Sequence, residues 1–259
     1  MWRCGGDYSD NYSVAIETGG YRLLELFAER CGDDAAVTIT DGDGHQIASH
    51  AMPVAERRHR FLIPVPTNVR LTVRARQLTV RFAYLSECEN LLDEGVRFIS
   101  MNPYDNEWDT QPTLEQIYDR FARPAAHFEP FARWMNDPNG LCRFQGRYHL
   151  FYQFNPYGFG WDNMHWGHAV SKDLLHWVHQ PVAAYPQIEL NGCEGEYRGG
   201  AFSGSAVIEK DVMHLFYTRH FGKTDRSWQR QWQVTKQSKD GVHFTHEECA
   251  VWGTPEGVT

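Results

Sequence analysis

The sequence predicts an all-β protein, with a β-sandwich-like domain over residues 1–100 followed by the first blades of a β-propeller over 127–259. Three observations predict it. Apolar residues alternate at period two through 20–100. Two pairs of similar segments recur at an interval of 65–67 residues in the second half. Aromatics are abundant, with 9 Trp, 12 Tyr and 15 Phe, as expected of sheets and of surfaces on which ligands stack.

In order along the chain, "YRLLELFAE", "AAVTIT", "HRFLIPVP", "VRLTVRAR" and "LTVRFAYL" each place apolar side chains on one face of a strand. Gly/Asp-rich breaks separate some of them. "DGDGH" at 41–45 lacks the later ligand positions of a calcium loop and reads as a hairpin turn. Residues 101–126 are polar and turn-rich. Within them Leu114, Ile117 and Phe121 have helical spacing, Thr113 is placed as an N-cap and Pro124 stops the run, so this segment reads as a linker with a short helix.

Strand patterns resume at 127. "HWGHAVSKDLLHW" and "WQVTKQSKDGVHF" share one plan: strand, Ser-Lys-Asp, turn, aromatic strand. Ser171 and Ser238 lie 67 residues apart, and "YHLFYQ" recurs as "MHLFYT" after 65. A four-stranded unit repeated at that interval is the signature of successive propeller blades. About two blades fit after 127, whereas a propeller closes with at least four, so the chain is expected to be a fragment.

Composition excludes several classes. A formal charge of −8 disfavours nucleic acid, whose binding relies on phosphate neutralisation. Six scattered cysteines without a C-x-x-C pair fit free thiols in a reducing compartment. No signal peptide and no apolar run of membrane-spanning length are visible, so the expected location is cytoplasmic. His165-x-x-His168 and His246-x-x-Cys249 have ligand-like gaps, but residues three apart on a strand face opposite ways, and no metal or other cofactor is expected.

The chemistry centres on "FARWMNDPNGLCRF" at 131–144. Asn-Asp-Pro-Asn-Gly is rich in turn formers, and one reading is a plain turn between strands. The other is catalytic. Trp134, Met135 and Asn136 precede Asp137, and "YQFNP" and "GFGWDNMHWGH" follow closely. Aromatic faces and amides suit a sugar, and a short Asp on a rigid strand end suits attack on an anomeric carbon.

The ordered segments "HFEPFARWMNDPNGL" (127–141), "YHLFYQFNP" (148–156), "WGHAVSKDLLHW" (166–177), "FSGSAV" (202–207) and "SKDGVHF" (238–244) together resemble the β-fructosidases of glycoside hydrolase family 32. The resemblance covers about half the chain and leaves 1–125 uncovered. It implies a five-bladed propeller with a funnel-shaped site and a retaining mechanism on sucrose or short fructans. It implies Asp137 as nucleophile, with Trp134, Met135 and Asn136 lining the fructose subsite. Gln153 and Trp161 would contact the sugar, and Phe202 and Ser203 would supply an apolar wall and a hydroxyl.

There are departures. The family's Arg-Asp-Pro triplet is absent, and Glu248-Cys249 stands too early for the Glu-Cys pair that carries the general acid. The 259-residue chain alone is therefore expected to be inactive or nearly so. Fructosyl transfer and non-catalytic binding of sucrose or fructan stay open as alternatives. Residues 189–204 read as a glycine-rich loop, in the first place a solvated one, with Glu194 and Glu196 rimming the funnel as the alternative. Arg198, Arg219 and Lys223 are basic residues of unassigned place. Oligomeric state is not legible.

Overall fold

The period-two alternation is realised in strands such as Arg70–Arg76 in this computed structural model, which describes residues 11–101, 127–192 and 195–251, whereas Leu24–Glu29 and His165–Ser171 are buried on both faces. The helix expected within 101–126 and the acid Glu194 lie outside the described residues. The chain divides into two compact units, residues 1–91 with 96–123 and residues 92–95 with 124–259.

The first unit is built from β1 (Asn11–Glu17), β2 (Leu23–Arg30), β3 (Ala36–Thr40), β4 (Gln46–Ala51), β5 (Arg58–Pro64), β6 (Arg70–Arg76), β7 (Leu78–Ser86) and β8 (Arg97–Phe98). They form two antiparallel sheets, ordered β1-β6-β3-β4 and β5-β2-β7-β8. One core joins them. Ile16, Val37, Ile39, Leu71 and Val73 from the first sheet cluster with Leu24, Leu26, Phe61, Ile63 and Leu85 from the second. Strand β6, "RLTVRAR", shows the cause plainly, because Leu71, Val73 and Ala75 are buried while Arg70, Arg74 and Arg76 face out. "DGDGH" is a turn between β3 and β4. Asp41 accepts the amide N–H groups of Asp43 and His45 on one carboxylate oxygen, at 3.0 and 2.8 Å. Strand β4 was not readable in advance, because "QIASHA" is an edge strand exposed almost throughout and carries no apolar stripe.

The second unit contains β9 (Trp134–Phe144), β10 (Arg147–Asn155), β11 (His165–Ser171), β12 (Trp177–Ala184), β13 (Tyr197–Glu209), β14 (Val212–Lys223), β15 (Gln229–Ser238) and β16 (Glu248–Val251). Two sequential antiparallel sheets result, β12-β11-β10-β9 and β13-β14-β15-β16. These are two propeller blades. The recurrent segments fall at equivalent places in them. "YHLFYQ" and "MHLFYT" are the second strands, and each Ser-Lys-Asp opens the connection from third to fourth strand. Asp173 accepts the amides of Leu175 and His176, and Asp240 accepts those of Val242 and His243, all at 2.8–2.9 Å. Each Asp also bonds the ring of the same histidine, His176 or His243.

The glycine-rich loop expected over 189–204 is corrected. A 3₁₀ turn covers Ile188–Asn191, and residues from Tyr197 onward belong to β13. Glycine is needed there for close approach rather than for looseness. A Cβ on Gly199 would stand 1.9 Å from the His220 carbonyl, and one on Gly200 would stand 2.4 Å from that of Met164. Among the described residues no helix is long and apolar enough to cross a membrane.

His165 and His168 go separate ways. The His165 ring meets the Asn163 carbonyl at 3.1 Å, whereas His168 Nε2 lies 3.1 Å from His149 Nδ1, in a buried stack that includes Phe151. Burial, with the Arg147 charge nearby, pushes the His149 imidazole down to about 4, and burial holds His168 well below the ordinary value. The native state therefore keeps both rings neutral where the unfolded chain would protonate them. The associated stability is whole above pH ~6.5 and is lost as pH falls toward 4, on the order of 3 kcal/mol for His149. The melting temperature is expected to drop over that window. A His149→Gln variant should show a shallower slope, and an unchanged slope would count against the assignment.

Candidate active site

Strand β9 pairs with β10 through two irregularities. Met135 lies opposite Phe154 and Pro138 opposite Tyr152, so Asn136 and Asp137 together face Gln153 alone. Asn139 lies opposite Phe151 and Cys142 opposite His149, so Gly140 and Leu141 face Leu150. These are β-bulges, which bend a strand and re-aim its side chains. The reading of Asn-Asp-Pro-Asn-Gly as a turn between strands is thus corrected: the strand runs straight through it. Pro138 is tolerated because β9 is an edge of its sheet. Gly140 takes φ +52°, and a Cβ there would sit 2.9 Å from the Phe151 ring.

The second blade repeats the device. In β13, Ala201 lies opposite Arg219 and Gly204 opposite Tyr217, leaving Phe202 and Ser203 against Thr218 alone. The two bulges meet. Ser203 Oγ donates to Asp137 Oδ2 at 2.7 Å, across 66 residues of chain. That separation falls within the 65–67 residue repeat, so the two residues occupy corresponding places in adjacent blades. The seam beneath is pinned by buried amides. Gln153 Nε2 donates to the Ala201 carbonyl at 2.9 Å, and Asn139 Oδ1 accepts the Gly204 N–H at 3.3 Å. Trp166 Nε1 donates to the Phe202 carbonyl at 3.0 Å.

Asp137 is exposed. The Ser203 hydroxyl first, and Asn136 second, hold its carboxyl below the usual carboxylate range, so it is ionised at neutral pH. Trp134 Nε1 donates to Asn136 Oδ1 at 3.0 Å and fixes that amide. An aromatic wall continues from Ser203. Phe202 stacks on His220, with centroids 4.5 Å apart and planes 11° from parallel. Trp161 meets Phe202 in a T-shaped contact at 5.8 Å, and the Arg198 guanidinium lies over Trp161 at 5.2 Å. Beside Asp137 opens a hollow of about 430 Å³. Phe128, Glu129, Pro130, Arg133, Trp134, Met135, Asn136 and Phe159 line it.

The expected site residues are thus sorted. Asp137, Asn136, Trp134 and Met135 lie together at the first bulge, and Phe202, Ser203 and Trp161 form its wall. Gln153 is buried behind the bulge and spends its amide hydrogen on the seam. Of the three unplaced cations, Arg198 joins the wall. Arg219 is buried against Glu247, and Lys223 ends β14. Glu248 is exposed on β16. His220, Arg133 and Phe159 were not anticipated. Arg133 and Phe159 fall inside the segments "FARWMNDPNGLCRF" and "GFGWDNMHWGH", which are the signals that could have found them.

Residues 127–259 match the family described as "Glycosyl hydrolases family 32 N-terminal domain". The chain belongs to glycoside hydrolase family 32. A family 32 glycoside hydrolase structure from Bifidobacterium adolescentis superposes with a TM-score of 0.89 at 57% identity, covering 95% of this chain and 40% of that one. A levanase of Bacillus subtilis is 54% identical over 101 residues, 39% of this chain and 14% of its own length. A sucrose-6-phosphate hydrolase of Escherichia coli is 41% identical over 154 residues, 57% of this chain and 31% of its own. This family 32 chain thus spans less than half the length of each of these relatives.

Proposed function

We propose that this chain carries the nucleophile and sugar subsite of a β-fructofuranosidase that hydrolyses sucrose or short fructans with retention. The observation that carries the reading is the meeting of two bulges at Asp137 and Ser203. It presents an ionised, exposed carboxylate beside an aromatic wall and a hollow of sugar size. The relatives named levanase and sucrose-6-phosphate hydrolase support the same substrate class.

In this mechanism Asp137 attacks the fructosyl C2, and a carboxylic acid protonates the departing oxygen. Water then hydrolyses the fructosyl-Asp137 ester while the same acid, now carboxylate, takes its proton. Trp134, Met135 and Asn136 seat the ring, Trp161 and Phe202 bound it, and Ser203 aims the nucleophile. The activity is proposed for the protein that holds this chain together with its general acid. A cytoplasmic setting is supported by Cys31, Cys88, Cys142 and Cys249, which are thiols rather than disulfides. Fructose release from sucrose by that protein and by its Asp137→Ala variant is the test. Equal rates would end the proposal, and tight binding without turnover would favour a sugar-binding protein instead.

Ser203→Ala supplies a second measurement. The Ser203 hydroxyl stabilises the ionised carboxylate, so its loss raises the Asp137 pKa. The acid limb of the kcat/KM profile should move to higher pH, with a greater loss of rate in acid than at neutrality. A limb that stays in place would separate Ser203 from the nucleophile.

A further inference from the structure

Ser203 sits in a bulge of the second blade, yet the first blade holds the backbone on both sides of it. Trp166 Nε1 donates to the Phe202 carbonyl at 3.0 Å, and Asn139 Oδ1 accepts the Gly204 N–H at 3.3 Å. The first bond fixes the peptide plane that enters Ser203, and the second fixes the plane that leaves it, because each peptide unit is planar. With both planes set, the direction of the Ser203 Cα–Cβ bond is set too. Gly204 is pressed from its other side by β14: a Cβ there would stand 2.0 Å from the Phe216 carbonyl oxygen.

Asn139 is a costly residue for that place. It is 3% exposed, and its Nδ2 is buried with no hydrogen-bond partner among the described residues. A buried donor left unpaired destabilises a fold, whereas an apolar side chain of the same size would not. Stability therefore does not account for the amide. The side chains of Asp137 and Asn139, two residues apart on β9, end on successive residues of β13, Ser203 and Gly204.

We propose that Asn139 is a positioning residue for the nucleophile: it holds the Ser203–Gly204 peptide so that the Ser203 hydroxyl is aimed at Asp137. One strand thus supplies both the carboxylate and the group that aims its hydrogen-bond donor. An amide suits this better than a carboxylate, which would accept the same N–H but set a second negative charge close to the nucleophile. Trp166 shares the task, but it is also a large, fully buried core side chain, so its loss would not separate aiming from packing.

This inference rests on the proposed nucleophile, and the test separates the two. Asn139→Leu keeps the volume and deletes both the acceptor and the unpaired donor. In the protein with its general acid present, the acid limb of its kcat/KM profile for sucrose is expected to rise by about half to one pH unit, in the same direction as for Ser203→Ala. KM should stay within about threefold and the melting temperature within about 4 °C of the parent. The decisive comparison is a double-mutant cycle. In a Ser203→Ala background, Asn139→Leu should move the limb no further, because the hydroxyl it aims is gone. A limb that stays in place in the parent background, or that moves as far again without Ser203, would overturn the assignment. Asn139→Ala, which leaves a cavity instead, should show the same limb. Failure of both variants to fold would make the amide a fold determinant and overturn the assignment as well. Asp137→Asn measured alongside reports on the nucleophile independently. Turnover persisting in that variant would overturn the proposed function whatever Asn139→Leu shows.

Discussion

On the proposed mechanism, and in the protein that also holds the general acid, replacing Asp137 with asparagine is expected to lower the rate of fructose release by about 10⁴-fold or more while leaving sugar binding within a few-fold. The amide matches the carboxylate in shape but cannot attack C2 to form the ester intermediate. Folding should survive. Asp137 is exposed, and the contacts it would weaken are the hydrogen bonds from Ser203 and Asn136, which an amide oxygen can still accept. The split between binding and turnover is the informative readout. It is measured by titrating sucrose against the variant and by single-turnover release of fructose. Loss of binding along with turnover would instead mean that the substitution damages the bulge.

The largest expected loss of stability lies elsewhere in the second blade. Arg219 is buried on β14. Its guanidinium donates to the Glu247 carboxylate at 2.8 Å and to the Tyr185 carbonyl, and Glu247 accepts the Tyr217 hydroxyl at 2.6 Å. Burial opposes ionisation of Glu247, but the hydrogen bonds and charge of Arg219 carry its carboxyl below the ordinary range. Burial in turn pushes the Tyr217 phenol far above its usual value. Glu247→Ala leaves a buried guanidinium without its counter-ion. Such losses cost about 3–5 kcal/mol, far more than an exposed pair would. Urea denaturation of the parent and variant would measure it. A paired Arg219→Met, Glu247→Leu variant should recover much of the loss, because it removes both charges. A loss under 1 kcal/mol for Glu247→Ala would show that water reaches the site and screens the cation.

The fold was legible in the chain where the signal is local or periodic. Alternation in "RLTVRAR" needs only a period of two and a core on one side, so it survives without knowledge of neighbours. The 65–67 residue interval survives for a related reason: two blades of the same construction repeat the same constraints at the same distance. Asp137 stood out because a carboxylate among Trp, Asn and Gln is unusual wherever it lies.

The failures share a different cause. Asn-Asp-Pro-Asn-Gly has the same local preferences in a hairpin as in a bulge, and only pairing with β10 distinguishes them. Gly199 and Gly200 look like flexible loop until His220 and Met164 are seen pressed against them. Arg133, Arg198 and Arg219 carry the same formal charge, yet they lie on an exposed ring, on an aromatic wall and inside a blade. Strand order alone settles which.

From the amino-acid order come the all-β class and the repeat, because these follow from periodicity and residue chemistry along one strand; the order also singles out Asp137 as the candidate carboxylate. The meeting of Asp137 with Ser203 does not. It arises because two edge strands 66 residues apart bulge at the same level of adjacent blades. That contact between blades is the main cause that holds the carboxyl below its usual range.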